Sequence, residues 1–561
     1  MCGIFALLNN EQTFSDDEIL KEFMKGKSRG PDNSVIWKER VGFLFGFHRL
    51  SINGLDNKSN QPFEINNIVM ICNGEIYNYK ELFEMIDITP ETNSDCEIII
   101  HLYLKYGIEQ TLKMLDGVFA FILIDLRVEN PQGLCYVARD PYGVRPLYLL
   151  SNGQKDSFIG MASEIKSLSY FHNECNRELG NKTHTIQHFP PGHYSLYSQS
   201  YKVMRKWNLQ EQNRYHTTGF HSILNDNVPI FNNKQTIYSA IQYFLKSAVY
   251  KRCANTDRQV GCLLSGGLDS SIVCALANEY FKMNNYPRIR TFSIGLEGSD
   301  DLIMAKKVAD HINSDHTEII VTEKDFTDNI ENVIRAVETY DTTTIRASIG
   351  NYLIGKYISE KTDITVVLNG DGADELCGGY LYMHETPDNI TYDHETHKLL
   401  NQIHAFDVLR SDKCISSHGL EPRTPFLDRE WTQFYLSIPL HIRNHCNDKN
   451  IEKYLIRWAF SNTGLLPDKI LLRQKEAFSD GVSKQKKSLF KILQSHITNV
   501  DFSYKPSNHH FLPKTLEQKY YKSVFDKLYP NCDNIIPRYW MPNFIEASDP
   551  SARTLELYFN K

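Results

Sequence analysis

The run Val260-Gly-Cys-Leu-Leu-Ser-Gly-Gly-Leu-Asp-Ser-Ser271 carries the strongest structural signal in this chain. Its apolar beginning, Val260 to Leu264, predicts a short buried strand, and Ser271-Ile-Val-Cys-Ala-Leu-Ala277 predicts a helix close behind it. A strand that turns tightly into a helix leaves free backbone N–H groups and a positive dipole end facing one point, which suits a phosphate. Gly266 and Gly267 let the backbone approach an anion closely, Ser265 and Ser270 add hydroxyl donors, and Asp269 can hold a cation. No Gly-Lys-Ser/Thr follows, so this is not the Walker loop. A glycine turn in an ordinary βα unit is the competing account, and Asp-Ser-Ser at the helix start weighs against it.

Outward from this run the pattern alternates. A helix from Thr236 to Lys251 precedes it; strand Arg290–Ile294, helix Asp301–Ile312, strand Glu318–Val321, helices through 326–359 and strand Ile364–Leu368 follow. Such βαβ alternation predicts a doubly wound, mostly parallel α/β sheet with its site at the carboxyl ends of the strands. Beyond about residue 400 the segments look helical. Residues 1 to 205 read differently. Short apolar runs (Ile4–Leu8, Val41–Phe45, Ile68–Cys72, Val118–Ile124, Leu134–Ala138, Tyr194–Tyr197) alternate with turn residues and few helices, Asp16–Lys27 and Asp95–Tyr106 among them. That predicts an α+β domain of packed, mainly antiparallel sheets. The stretch 206–235 is polar and without periodicity and reads as a linker, 236–545 as the second domain and 546–561 as a tail.

With 561 residues the chain is too long for one core. A composition 41% hydrophobic and 23% charged is that of a globular protein. Net charge −7 and the lack of a Lys/Arg-rich block argue against a nucleic-acid partner. The twelve cysteines form no CxxC pairs, and several lie in apolar segments, so reduced buried thiols are expected. No apolar run approaches a membrane span, and a cytoplasmic protein without a membrane partner is expected.

Met1-Cys2-Gly3 places a small residue after the initiator, so Met1 can be removed. Cys2 would then carry a thiol and a free α-amine on one residue. The amine, with a pKa near ~7.7–8.0, can act as the thiol's own base. Arg29-Gly-Pro-Asp32, His48-Arg-Leu-Ser-Ile52, Asn73-Gly-Glu-Ile-Tyr-Asn78, Ser94-Asp95 and Asp116-Gly-Val-Phe-Ala-Phe121 follow in order. Together these resemble the class II, N-terminal-nucleophile, glutamine amidotransferase domain, whose fold is an antiparallel sheet sandwich. The resemblance implies that Arg49 binds the glutamine α-carboxylate and Asp95 its ammonium. It also places Leu50, Ser51, Ile52, Asn53 and Glu75 around the glutamine, with Asn73 and Gly74 as the oxyanion hole. A free amino acid needs one cation, one anion and donors near the attacked carbonyl, so the set is chemically coherent. Lys27-Ser28 stands where the family often has Arg-His, a departure at the pocket lid.

Asn369-Gly-Asp-Gly-Ala-Asp-Glu-Leu-Cys-Gly-Gly-Tyr380 follows the strand at 364–368, and its clustered carboxylates repel one another unless a cation or a catalytic duty holds them. Thr342-Thr-Thr-Ile-Arg-Ala-Ser348, Pro422-Arg-Thr-Pro-Phe-Leu-Asp428 and Arg473-Gln-Lys-Glu-Ala-Phe-Ser-Asp-Gly481 complete the set. With the N-terminal motifs, these resemble the glutamine-hydrolysing asparagine synthetases over nearly the whole chain, and the Ser265–Ser270 loop resembles that of enzymes splitting ATP into AMP and pyrophosphate. The resemblance implies an ATP-pyrophosphatase-like domain, ATP as co-substrate, Mg²⁺ as cofactor, glutamine and aspartate as substrates, and a homodimer. It implies that Leu264 and Ile294 line an adenine pocket and that Asn369 and Gly370 contact the nucleotide. Ser265, Gly266, Gly267, Asp269 and Ser270 would hold pyrophosphate, and Asp269 and Asp374 the magnesium. Lys475 would neutralise α-phosphate charge, Thr343, Thr344 and Arg346 would lie near aspartate and pyrophosphate, and Asp371 would serve intermediate formation or ammonia attack. Some relatives have Glu at the place of Asp371 and Ser at that of Asn369, so this shorter carboxylate must be brought closer by its backbone.

The implied reaction releases ammonia from glutamine through a thioester on Cys2, forms β-aspartyl-AMP, and displaces AMP with ammonia. Ammonia is largely protonated in neutral water, so a shielded passage between the domains is expected. Two rivals stay open: the same architecture with another acceptor, and an inactive glutamine or nucleotide sensor. The second would need a lost nucleophile, acid or phosphate lysine, yet Cys2, Asp269, Asp374 and Lys475 are all present.

Overall fold

The computed structural model describes the chain except for residues 12, 40–41, 131, 179–183, 200–204, 218–230, 232, 447–450, 485–486, 506–510 and 556–561. The chain divides into two compact units, Met1–Thr217 with Ser416–Leu420 and Phe525–Ile535, and the remainder.

The first unit contains β1 Gly3–Leu8, β2 Asn33–Glu39, β3 Phe43–Arg49, β4 Phe63–Ile65, β5 Ile68–Ile76, β6 Gly117–Asp125, β7 Leu134–Arg139, β8 Tyr148–Ser151, β9 Ile159–Ala162, β10 Thr185–His188, β11 His193–Gln199 and β12 Trp207–Arg214. They form two six-stranded sheets, ordered β10-β8-β9-β1-β3-β2 and β12-β11-β7-β6-β5-β4. Every pairing within them is antiparallel.

Period-2 alternation assigns the faces. Ile4, Ala6 and Leu8 of β1 meet Val69 and Ile71 of β5 and Ile122 and Ile124 of β6 in one buried cluster, the inner layer of a sandwich. Phe5 points the other way, onto Phe23 of α1 (Asp16–Met24) and Phe171 of α4 (Ser169–Glu178). On the far face of the second sheet, Met70, Cys72 and Phe121 pack with α2 (Tyr79–Ile86) and α3 (Ile98–Met114). The predicted α+β sandwich is therefore present.

The second unit carries a parallel sheet of β13 Gln259–Leu263, β14 Arg290–Leu296, β15 Asp315–Val321, β16 Ile364–Leu368 and β17 Glu421–Arg423, in the order β15-β14-β13-β16-β17. Order reverses at β13, which makes the carboxyl ends of β13 and β16 the crevice of a doubly wound sheet. Helix α5 (Lys234–Ala254) precedes β13, and α6 (Leu268–Met283) follows it. Helices α7 (Asp300–Ile312) and α8 (Thr342–Lys361) pack against β14, and α8 also against β16. Buried Val366, Val367 and Leu368 in succession fit a strand covered on both faces.

Several sequence expectations change. The first domain does not stop at 205, because β12 pairs with β11 along Gln199↔Trp207 to His193↔Arg214. Fully buried Trp207 anchors this strand in the sandwich core, while Asn-Leu-Gln-Glu-Gln-Asn gives it no apolar alternation. The proposed linker therefore starts later, and its residues 218–230 and 232 lie outside the described ones. Segments 416–420 and 525–535, expected in the second domain, group with the first unit. Within it Ser416 accepts from Arg29 at 2.9 Å, and the Ile535 carbonyl meets His188 Nε2 at 3.1 Å. The stretch from 546 is not a loose tail where it is described: Asp549 pairs with Arg346 at 2.7 Å and Arg553 with Glu476 at 2.6 Å. Residues 556–561 of that tail, and Val41 of the expected strand 41–45, lie outside the described residues. Pro422, in a region read as helical, sits in β17 at the sheet's edge, where its missing N–H costs no ladder bond.

Candidate functional sites

In the first unit the predicted residues form a chain of contacts. Cys2 leads into β1, and its thiol points to the Leu50 carbonyl at 3.6 Å. Arg29 Nε donates to the Cys2 carbonyl at 3.0 Å, and Arg29 is itself paired with buried Glu164 at 2.9 Å. Met1 is buried. Loop 50–54 after β3 is fixed from both ends. Asp32 Oδ2 accepts from Ser51 N at 2.8 Å, and Asn53 Nδ2 donates to Glu75 at 2.8 Å. Ile52 is buried beneath it. The Arg49 guanidinium donates to the Gly54 carbonyl, to the Asp56 carbonyl at 2.8 Å and to Asn60 Oδ1 at 2.7 Å. These acceptors fix the orientation of the guanidinium. Asp95 takes the Ile76 N–H at 2.6 Å and is buried just after the Ser94 turn.

Asn73 is the telling residue. It is fully buried in β5, and neither its amide nitrogen nor its amide oxygen has a hydrogen-bond partner among the described residues. An unmet buried amide costs about 1–3 kcal/mol, so such a group is kept where a ligand completes it. Gly74 beside it admits no side chain, since a Cβ would lie 2.7 Å from Phe119 Cβ and from the Val118 carbonyl. Sequence reasoning missed Asp32 as a support, though it lay inside a quoted motif.

In the second unit an open cleft of about 1310 Å³ lies at the carboxyl ends of β13 and β16. Leu264, Ser265, Gly267, Asp269, Ser270, Ile294, Thr343, Asn369, Gly370, Asp371, Asp374 and Lys475 all line it. Ser265 and Ser270 hydroxyls are 2.9 Å apart, and Gly267 caps α6, so the turn presents hydroxyls and the helix N-terminus together. Gly266 has φ +69° and backs onto α7, where a Cβ would sit 2.4 Å from Ala305 N. Gly370 passes so close to α6 that a Cβ would meet Ser270 N at 2.7 Å. Both glycines are thus required by approach, and Gly266 also by conformation. Asn369 is held by Ser411 at 2.6 Å, and Asp371 pairs with Arg410 at 2.9 Å.

Lys453 is the main residue missed from the sequence. Its ammonium bridges Asp269 at 2.6 Å and Asp374 at 2.5 Å, while Lys475 reaches the other oxygen of Asp374 at 2.5 Å. Burial works against the Asp374 charge, but Lys453 and Lys475 outweigh it and hold the carboxyl well below its ordinary range. Burial likewise opposes the charge on Lys475, and Asp374 overrides it and raises its pKa. Arg473 ties the loop down, reaching the Ser265 carbonyl at 3.3 Å and Asp301 at 2.9 Å. Burial pushes Asp301 up to about 6, against the pull of Arg473.

The expected magnesium set passes a test of donor chemistry. Asp269 Oδ1 is buried and has no hydrogen-bond partner among the described residues, and Asp374 shares the cleft. Two carboxylates beside a phosphate-sized space are what a small hard cation takes, with substrate oxygens completing its shell.

Two residues expected near aspartate and pyrophosphate, Thr344 and Arg346, lie outside the lining of this cleft. On α8 the cleft is lined by Thr343, Ala347, Asn351 and Ile354, one helical stripe. Thr344 lies off that stripe, and its hydroxyl binds the capping Asp341 at 2.7 Å. Arg346 spends donors on Glu517 at 2.8 and 2.5 Å and on Asp549 at 2.7 and 2.8 Å. It borders a neighbouring cavity of about 570 Å³ with Tyr380, Lys475 and Trp540. The 3.6-residue period of α8 is the signal that separates Thr343 from its neighbours. Asp407, Arg410 and Tyr380 also line the cleft and were not foreseen.

Comparison with known proteins finds matches to both halves of the chain. The family described as Glutamine amidotransferase domain matches residues 1–214, a limit that coincides with the end of β12. The family described as Asparagine synthase matches residues 240–392 and 385–542. The chain is 42% identical over 588 residues to the glutamine-hydrolyzing asparagine synthetase of Gallus gallus, covering 100% of this chain and 99% of that protein. Against the protein so named from Homo sapiens it is 40% identical over 580 residues, with the same coverage.

Proposed function

We propose, because this chain belongs to the family of glutamine-hydrolysing asparagine synthetases, that it makes L-asparagine from L-aspartate with ATP and with ammonia released from L-glutamine. The observation that carries the reading is the coexistence of full-length family likeness with two complete donor sets, one around Asn73 and one around Ser265–Ser270.

At the first site, removal of Met1 gives Cys2 its base. The Cys2 thiolate attacks the glutamine side-chain amide, Asn73 and Gly74 donate to the developing oxyanion, ammonia leaves, and water cleaves the thioester to glutamate. Arg49 and Asp95 orient the amino acid by its two charged ends. Asp95→Asn is expected to raise the KM for glutamine about tenfold or more, since a charge-assisted contact is worth roughly 1.5–3 kcal/mol. Its amide oxygen can still accept from Ile76 N–H, so ammonia-dependent synthesis stays near wild type. Steady-state assays with the two nitrogen donors check this; equal damage to both would make Asp95 a structural residue.

At the second site, the Ser265–Ser270 turn and the α6 N-terminus hold the β- and γ-phosphates. Magnesium held by Asp269 and Asp374 supplies neutralising charge to the phosphates when bound. The aspartate β-carboxylate attacks the α-phosphorus, Lys475 balances the charge that grows there, and pyrophosphate leaves. Ammonia then displaces AMP from β-aspartyl-AMP. Aspartate labelled with oxygen-18 in its side chain is expected to pass label into AMP, in step with pyrophosphate and asparagine. Mass spectrometry of the products tests it: ADP and phosphate as products, or turnover with no label in AMP, would overturn the adenylate route. Family membership also leads us to expect a cytoplasmic homodimer, which sedimentation equilibrium tests for its assembly.

A further inference from the structure

Three donor side chains outside both sites converge in the second unit. His384 lies in the turn Leu381–Glu385, directly after Tyr380 of the cleft. His445 and Cys446 follow the short helix Leu440–Arg443. One ligand atom from each of the three lies within 4.8 Å of the other two. The imidazole rings meet edge to face, with centroids 4.4 Å apart and an interplanar angle of 75°. None of the three lines the cleft or its neighbouring cavity.

His445 supplies a second, independent observation. It is 1% exposed, and neither ring nitrogen has a hydrogen-bond partner among the described residues. A neutral imidazole has one donor and one acceptor, and a buried one finds a partner for at least one of them in nearly all proteins. One of these unmet nitrogens lies within 4.8 Å of a nitrogen of a second imidazole and of a thiol sulfur. The thiol is already steered: Cys446 donates to the Met383 carbonyl at 3.0 Å and lies 3.5 Å from the Thr386 hydroxyl. Buried hydrophobic packing explains neither the orphaned imidazole nor the gathering of nitrogen and sulfur around it.

We propose that His384, His445 and Cys446 form a zinc site, with water in the fourth position, that pins the turn following Tyr380 to the chain preceding Lys453. Imidazole and thiolate are ligands of a borderline-soft ion and poor ones for Mg²⁺ or Ca²⁺, so the site is chemically distinct from the acid pair of the cleft. Zn–N bonds of about 2.0–2.1 Å and Zn–S of about 2.3 Å in a tetrahedron set ligand atoms on the order of 3.5 Å apart. Closing a triangle of at most 4.8 Å to that size needs a side-chain adjustment of about 1 Å. Binding exchanges the Cys446 thiol proton for the metal, and that proton goes to solvent.

The test uses the full-length protein and cobalt(II) as a spectroscopic stand-in. One equivalent of Co²⁺ is expected to give tetrahedral d–d bands and a thiolate-to-cobalt charge-transfer band. One equivalent of Zn²⁺ should abolish both and raise Tm. Cys446→Ser should lose the charge-transfer band, and His384→Asn should weaken zinc at least ~10-fold, since even outer partners of a metal ligand are worth 10–100-fold. Cys2→Ala should keep every signal. If Cys446→Ser fails to fold, His384→Asn alone decides by its zinc affinity. Absence of the band in the wild-type protein overturns the site, as does a band that survives in Cys446→Ser or vanishes in Cys2→Ala.

Discussion

Lys475→Ala binds ATP almost as well as the wild-type chain and forms the aspartyl adenylate on the order of 10²–10³ times more slowly. The size follows from the role. A donor that meets charge growing only in the transition state contributes little to ground-state affinity and much to rate. The structure also limits collateral damage. Lys475 is one of two ammonium partners of Asp374, and its loss leaves Lys453 at 2.5 Å, so no buried carboxylate is stranded. The backbone at 475 stays anchored, because its N–H donates to Glu452 Oε1 at 2.6 Å and Glu452 is held by Arg457 at 2.5 Å. ATP titration by calorimetry, pyrophosphate release in single turnover and Tm together check this. A lost ATP affinity with an intact single-turnover rate would assign Lys475 to binding alone. Arg at 475 is not expected to rescue, since a planar fork and a compact point charge do not fill the same place.

What the sequence revealed, and what it hid, follows from where each residue gets its position. Ser265–Ser270 and Asn369–Asp374 were legible because each follows its own strand, and the strand delivers it to the crevice without help from elsewhere. Asp269 and Asp374 are paired by the family resemblance. Lys453 is missed, because it enters from a distant segment with φ +56° and no motif of its own. Its position is a fact of tertiary structure. Thr343, Thr344 and Arg346 are grouped by family resemblance, and on the helix the neighbour of Thr343 on the cleft face is Ala347. Arg346 borders the neighbouring cavity, and its bidentate pairs to Glu517 and Asp549 bring the last described part of the chain to α8. Breaking one side of such a buried set typically costs about 3–5 kcal/mol.

The fold shows the same division. β13 and β16 announced themselves as continuous apolar runs, as strands covered on both faces do. β12 did not, because one buried indole secures it while its other residues are polar apart from exposed Leu209. β8, β9 and β10, four residues each, were too short for a periodic signal. Asp371 remains the instructive case among the site residues. Its shorter side chain was expected to need help from the backbone. In the structure Arg410 holds it at 2.9 Å and Asp407 accepts from Gly372 N at 3.0 Å, so a neighbouring helix, Asp407–Ser416, fixes this turn.

Cys2→Ala abolishes glutamine-dependent synthesis, by at least ~10³-fold, while synthesis from ammonium salts continues near the wild-type rate. Removing a nucleophile removes the covalent route itself, and the residual binding groups do not substitute for it. The substitution is sterically mild, since alanine only shortens the side chain that points to the Leu50 carbonyl, and the backbone carbonyl of residue 2 keeps the Arg29 bond. The second site needs only ammonia and draws none of its cleft residues from the first unit. A further arm separates the thiol from its base. A form in which Met1 is retained, or a tag precedes it, keeps the Cys2 thiol but buries its amine in an amide, and glutamine hydrolysis should fall as it does in Cys2→Ala. Intact mass fixes the state of the N-terminus, and glutamate release measures the rate. Full glutaminase activity from unprocessed protein would show that another group serves as base. In that event His48, stacked on Phe23 with its rings 3.9 Å apart and held down at about 4 by burial, is a poor replacement, because both of its nitrogens are already engaged by Ser34 and the Phe23 carbonyl.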